Sequence, residues 1–179
     1  MLQTVVIYRS ISGYTKKYAQ WIAKECNADI YDAKEFSAQK LSNYSTIIFG
    51  GSLHAVGING IECVKENLPK LADKKIVIFA VGASPSKEGI VSEIMDNNFS
   101  TNEQGKLKLF YLRGGFDFNK LDFPNKVIMA LFRVRLSLKK NKSSDEIGML
   151  AAYSKPMDFV RKENIKQLVD YVKSASLNQ

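Results

Sequence analysis

Ser10-Ile11-Ser12-Gly13-Tyr14-Thr15 places three hydroxyls and a glycine between the apolar run TVVIY and a helical period. Residues of that kind at a strand-to-helix turn can hold an anion. The backbone N–H groups of Ile11 through Thr15 can wrap it at the helix N-terminus, where the helix dipole favours negative charge. Ser10, Ser12 and Thr15 add hydroxyl donors, and Gly13 permits close backbone approach. No lysine or arginine is required inside such a loop. The plainer alternative is a helix cap made by Ser12 or Thr15. Neither GxxxxGK[ST] nor GxGxxG is present.

Two later segments share the small, hydroxylated character: GSLHAVG (51–57) and VGASPSK (81–87). The elements around them must bring all three together. QTVVIY (3–8), NADIYDA (27–33), STIIFGG (45–51), KKIVIFAVGAS (74–84) and KLKLFYLRGG (106–115) read as buried strands. Helical spacing appears through Tyr18, Trp21, Ile22 and Glu25. It returns through Ile61, Val64, Lys65 and Leu68 as far as Pro69, and again at Ile90, Ile94 and Met95. The closing segment MDFVRKENIKQLVDYVKSAS (157–176) reads as an amphipathic helix with Ile165, Leu168, Val169 and Val172 on one face. Alternation of this kind predicts an α/β fold, one domain over 1–179, with a doubly wound five-stranded parallel sheet of order 2-1-3-4-5. Ligands then bind beyond the carboxyl ends of the strands, at the switch point between strands one and three. The three loops belong on that edge.

The chain has 179 residues, 45% of them hydrophobic and 25% charged, as in an ordinary globular domain. Twenty-six Lys and Arg against 18 Asp and Glu give a net charge of +8, which favours anionic partners without choosing among them. Cys26 and Cys63 form no CxxC and read as reduced thiols of a cytoplasmic protein. The N-terminal apolar stretch is too short for a signal peptide, and no run is long enough to span a bilayer. Scattered lysines with no aromatic platform argue against nucleic acid. A phospho-acceptor receiver domain would need an aspartate where the third strand ends in Gly50-Gly51. His54 is the only histidine and has no second ligand for a metal; it either bonds a ligand or simply sits in its loop. Cys63 reads as a core thiol.

Residues 121–141, LDFPNKVIMALFRVRLSLKKN, fall outside the alternation and define a basic amphipathic insertion over about 120–142. Pro124 suits the first turn of one extra helix. On that helix Val127, Leu131, Val134 and Leu138 form one apolar stripe, and Met129, Phe132 and Leu136 another. Lys126, Arg133 and Lys140 line up between them. One stripe packs on the protein, so the other needs a partner. Four uses are open: a membrane surface, a hydrophobic substrate, a dimer contact or ordinary core. KKNKSSDE (139–146) reads as a flexible loop, with Asp145 and Glu146 as solvated turn residues.

The pattern [ST]-x-[ST]-G-x-T after a first strand resembles the phosphate loop of the flavodoxin family, and Ser10 to Thr15 match it at every fixed position. GGS at 50–52 and VGAS at 81–84 are similar to the two loops that flank the flavin in that family. The resemblance implies FMN as cofactor. Ser10, Ile11, Ser12, Gly13, Tyr14 and Thr15 would hold its phosphate, and Ser52, Leu53, His54, Ala83 and Ser84 would flank its ring. GSLHAVG, the exit YLRGGFDFNKLD and the basic extra helix are most similar to one branch, the menaquinone-dependent protoporphyrinogen IX dehydrogenases. His54 departs from it, standing where a basic arginine is expected.

That branch implies oxidation of a tetrapyrrole with a quinone acceptor, in haem synthesis, by a protein peripheral to the inner face of the cell membrane. Lys126, Met129, Phe132, Arg133 and Leu136 would then meet substrate or membrane. The flavin itself carries the chemistry, and no catalytic base is named. A rival reading is an electron carrier without a small-molecule substrate. Carriers of the family are typically acidic, whereas a net charge of +8 favours added negative charge on the flavin and raises its potential. A third reading, an NAD(P)H-fed quinone reductase, lacks a dinucleotide fingerprint.

Overall fold

The computed structural model describes residues 4–121 and 123–174. Chain order is β1 (Thr4–Arg9), α1 (Tyr14–Cys26), β2 (Asp29–Asp32), β3 (Thr46–His54), β4 (Gly57–Ile58), α2 (Glu62–Lys65) and β5 (Lys75–Gly82). It continues through α3 (Ile90–Asn98), α4 (Thr101–Gln104), β6 (Leu107–Arg113), β7 (Gly115–Phe116), α5 (Phe123–Leu138), α6 (Ser144–Ala152), β8 (Met157–Asp158) and α7 (Lys166–Ser174). The main sheet runs β2-β1-β3-β5-β6, all parallel, which is the expected 2-1-3-4-5 order of five long strands. Helices cover both faces, so the central strands are apolar on both sides rather than alternating.

Successive residues of each strand point to opposite faces. Val5, Ile7, Ile47, Phe49 and Ile78 join Val64 and Ile94 in one core. Val6, Ile48, Val77 and Phe79 meet Tyr18 and Ile22 of α1 and Leu168 and Val169 of α7 in the other. Gly50 and Gly51 serve this packing. A Cβ on Gly50 would run into the Phe79 ring, and one on Gly51 would lie 2.5 Å from Ile58 Cγ2.

Several expectations need correction. β4 pairs antiparallel with the end of β3 through the two-residue turn Ala55-Val56. Ala55 has φ 53, a left-handed conformation favoured in tight hairpins, without the Gly or Asn that usually signals one. The helix read through Leu68 is only α2, followed by a 3-10 turn, Leu68–Leu71, with Pro69 near its start. The closing helix is shorter too, with β8 and a 3-10 turn, Lys162–Ile165, ahead of α7. Its apolar face, Ile165, Leu168, Val169 and Val172, is buried as expected.

Between β6 and α7 lie two helices rather than the one expected: α5 falls within the insertion over about 120–142, and α6 follows it. Residues 144–146, read as part of a flexible loop, open α6, where Ser143 and Glu146 form a reciprocal capping box and Lys139 reaches Glu146 at 2.7 Å. A third small core of Phe116, Ala152 and Tyr153, with Met129, Met149 and Met157 against it, ties the insertion to the body. β7 and β8 close it as a two-stranded antiparallel sheet. Gln3, Asp122, Ala175 and Ser176, assigned from sequence to the first strand, the insertion and the last helix, lie outside the described residues.

Candidate functional site: three loops at the carboxyl edge

Strand register levels the ends of the parallel strands. Arg9 pairs with Gly51, Ser52 with Val81, and Gly82 with Arg113. The loops after β1, β3 and β5 therefore leave the sheet on one edge, as the sequence predicts.

In the first loop Gly13 is the N-cap of α1, at φ 89, and no side chain caps the helix. The plain Ser12 or Thr15 cap is thus not formed. Ser10 Oγ accepts from the Gly13 N–H at 3.2 Å and braces the turn. The first-turn N–H groups of α1 have no intrahelical acceptors, and the N-cap, a glycine, supplies no side-chain bond to them. A Cβ on Gly13 would meet nothing within 4 Å, so the space over the loop is open. Ile11 and Ser12 are half-buried in the loop, while Tyr14 and Thr15 are buried beneath it. The Tyr14 hydroxyl donates to the Met157 carbonyl at 3.4 Å, and Lys120 Nζ lies 5.4 Å from its ring centre. Burial, and then the carboxylates of Asp158 and Asp117, raise the Tyr14 pKa above its usual range. Tyr14 therefore offers the loop its backbone and supports it with its ring.

In the second loop Leu53 and His54 pair with Ile58 and Gly57 across the hairpin. Leu53 packs on the first core, and His54 is exposed at the tip. Ser52 Oγ is buried and has no hydrogen-bond partner among the described residues. In the third loop the Ser84 carbonyl accepts from the Tyr111 hydroxyl at 2.6 Å. Ala83 packs against the third core, so the insertion stands beside this loop.

Sequence reading missed the residue that holds the hairpin. Asn98, buried at the end of α3, accepts from the Ile58 N–H at 2.8 Å and donates to the Val56 carbonyl at 2.7 Å. An asparagine at a helix end looks like an ordinary terminus, so no local signal marks it. Tyr111 and the close packing of Gly115 against Tyr14 were missed for the same reason.

The insertion residues divide differently from expectation. Leu136 is only 5% exposed and Met129 packs into the third core, its carbonyl accepting from the Tyr153 hydroxyl at 2.7 Å. Arg133 lies 5.3 Å from the Tyr153 ring centre. Lys126 is half-buried and Phe132 exposed. Leu136, expected at a substrate or membrane contact, is thus turned to the protein, whereas Val127, Leu131, Val134 and Leu138 are all exposed, as is Phe132 of the other stripe.

Charges near the edge are only loosely paired: Arg9 with Asp32 at 3.9 Å, Lys17 with Asp158 at 3.9 Å and Lys120 with Asp117 at 3.7 Å. Cys63 is a packed thiol, its pKa pushed up to about 11 by burial and then by Glu62 and Glu66. Among the described residues, no group of three His, Cys, Asp or Glu is placed to hold a metal ion. Nor is any helix among them long and apolar enough to cross a membrane.

Comparison with known proteins adds to this geometry. No curated protein matches the chain. Among solved structures, a WrbA-like flavodoxin protein from Agrobacterium tumefaciens superposes with a TM-score of 0.50 at 17% identity, over 75% of this chain and 94% of that one. A flavodoxin from the domain Archaea gives 0.41 at 17% identity, over 75% and 99%. A flavoprotein in complex with FMN from Lactobacillus acidophilus gives 0.41 at 16% identity, over 63% and 93%. A family model described as a flavodoxin domain matches residues 5–145. That span contains all three loops of the carboxyl edge; the chain belongs to the flavodoxin family, and its cofactor is FMN.

Proposed function

We propose that this chain is an FMN-dependent oxidoreductase that takes reducing equivalents from a hydrophobic, anionic substrate and delivers them to a quinone. Protoporphyrinogen IX and menaquinone are the pair named by its sequence resemblance. The residues present fit the flavin: an uncapped helix N-terminus faces open space above Gly13, and a buried hydroxyl at Ser52 awaits a partner. Bound FMN supplies the redox chemistry, and the chain supplies position and field. In this reading the Ser10–Thr15 loop holds the phosphate. Ser52, Leu53 and His54 stand at one side of the ring, and Ala83 and Ser84 at the other.

The observation that carries the enzyme reading is the contact of Ala83 with the third core. A carrier needs its ring edge clear for a protein partner. Here the half-buried Phe118 and Met129, backed by the buried Phe116 and Tyr153, put apolar side chains in the cluster that Ala83 joins, which suits a hydrophobic substrate. Lys17 and Lys120, whose ion pairs are long, leave positive field for substrate carboxylates.

The test is anaerobic: FMN-loaded protein is mixed with protoporphyrinogen IX and a menaquinone analogue, and porphyrin fluorescence is followed. Fluorescence that grows with both enzyme and quinone is the expected result. No rise, from a flavin that other reductants still reduce, rejects the substrate and favours the carrier.

A further inference from the structure

Among the described residues, the outward face of α5 packs against no other element. Phe123 is 80% exposed, Leu131 67% and Leu138 78%, with Val127 and Val134 exposed between them. At about 100° per residue these five side chains fall in an arc of about 80°, centred almost opposite Leu136, the residue that anchors the helix. The arrangement inverts the usual surface helix, which turns its polar face outward. Such a row of large apolar side chains marks an interaction site.

Its flanks are basic. Arg135 lies along one side of the arc, next to exposed Ile128, and Lys126 and Arg133 along the other, while Lys140 and Lys142 follow just past the end of the helix. No acidic residue occurs anywhere from 123 to 144. A seam of this kind selects its occupant by charge. A second copy would bring the same cations to the contact with no acidic residue on α5 to meet them. A sheet of anionic headgroups above an acyl interior satisfies both parts at once. Apolar side chains enter the interface while lysine and arginine stems extend their charges to the headgroups.

We propose that the exposed face of α5 docks this protein, lying flat, on the surface of an anionic phospholipid bilayer. This goes beyond the FMN reading and does not rest on it. The third core joins the same insertion to Ala83, so docking sets the ring-flanking loop beside a source of lipid-soluble molecules.

The experiment is vesicle flotation of the FMN-loaded chain. Vesicles of phosphatidylcholine alone are compared with vesicles of phosphatidylcholine mixed with phosphatidylglycerol. Binding to the mixed vesicles is expected to exceed binding to the neutral ones by about tenfold or more, and to fall with added salt. Leu131→Ser with Val134→Ser removes two large apolar side chains from the interface and should lower the partition coefficient at least about tenfold. Both side chains are exposed, so the FMN spectrum and melting temperature should stay as in the parent. Arg135→Gln with Lys140→Gln should remove most of the preference for anionic lipid. Absence of binding to the mixed vesicles overturns the proposal, as does binding that survives Leu131→Ser with Val134→Ser. A parent dimer in light scattering that this double variant converts to monomer assigns the face to a second copy and also overturns it.

Discussion

The amide of Asn98 spans the β3–β4 hairpin, accepting from the Ile58 N–H at 2.8 Å while donating to the Val56 carbonyl at 2.7 Å. A third bond, to the Ile94 carbonyl at 2.7 Å, ties that amide to α3. The hairpin carrying Ser52, Leu53 and His54 is therefore positioned from a helix forty residues further along the chain. Asn98→Leu keeps the volume but strands a buried N–H and a carbonyl, at a cost of about 2–3 kcal/mol. The expected outcome is a lower urea midpoint together with weaker FMN binding in a fluorescence titration. A loss of stability with unchanged FMN affinity would show that FMN binding does not depend on this clamp.

Ser52 gives a prediction of opposite sign for the two states of the protein. Its Oγ is buried without a partner among the described residues, so it costs stability until a ligand bonds it. Ser52→Ala should raise the melting temperature of cofactor-free protein slightly and weaken FMN binding by about 1 kcal/mol. Calorimetry of apo and loaded protein checks both halves.

Gly13 has φ 89 and nothing within 4 Å of where a Cβ would stand. Substitution there is penalised by backbone conformation and not by a clash. Gly13→Ala should cost about 1–2 kcal/mol and weaken FMN binding, whereas Gly13→Asn, which tolerates the left-handed region, should cost less. Equal losses from Ala and Asn, measured by thermal melts, would contradict the conformational argument.

Gly50 is the contrasting case, since its added methyl would overlap the Phe79 ring. Gly50→Ala should destabilise by about 2 kcal/mol or more. Phe79→Leu in the same chain should return part of that loss, which a double-mutant cycle reads directly.

Glu146 caps α6 and pairs with Lys139, and that lysine, followed by the Ser143 N–H, holds its carboxyl below the ordinary value of 4.5. A depressed carboxylate contributes stability above its unfolded pKa and loses it as pH falls through the folded one. Glu146→Gln should lower the urea midpoint at neutral pH, and the gap from the parent should close as pH drops below 4.5. A gap that persists in acid would mean the pair contributes nothing.

The sequence by itself determined what repeats over a few residues. Runs such as TVVIY and KKIVIFA carry their own burial pattern, and Ile165, Leu168, Val169 and Val172 mark a face one helical turn at a time. From these came the sheet order, the shared edge and the expectation that Ser10 to Thr15 hold an anion. The hairpin lay beyond its reach because Ala55-Val56 carries no turn residue, and Asn98, distant in sequence, provides the hold. α6 was hidden because its cap, Ser143 with Glu146, lies in a charged run that resembles a loop. The outward face of α5 was ambiguous for a different reason. Two apolar stripes on one helix have equal claims until a neighbouring core accepts one, and Met129 and Leu136 were the side chains turned inward. Local periodicity names the faces of an element, but only tertiary contact decides which of them meets the protein and which is left for something else.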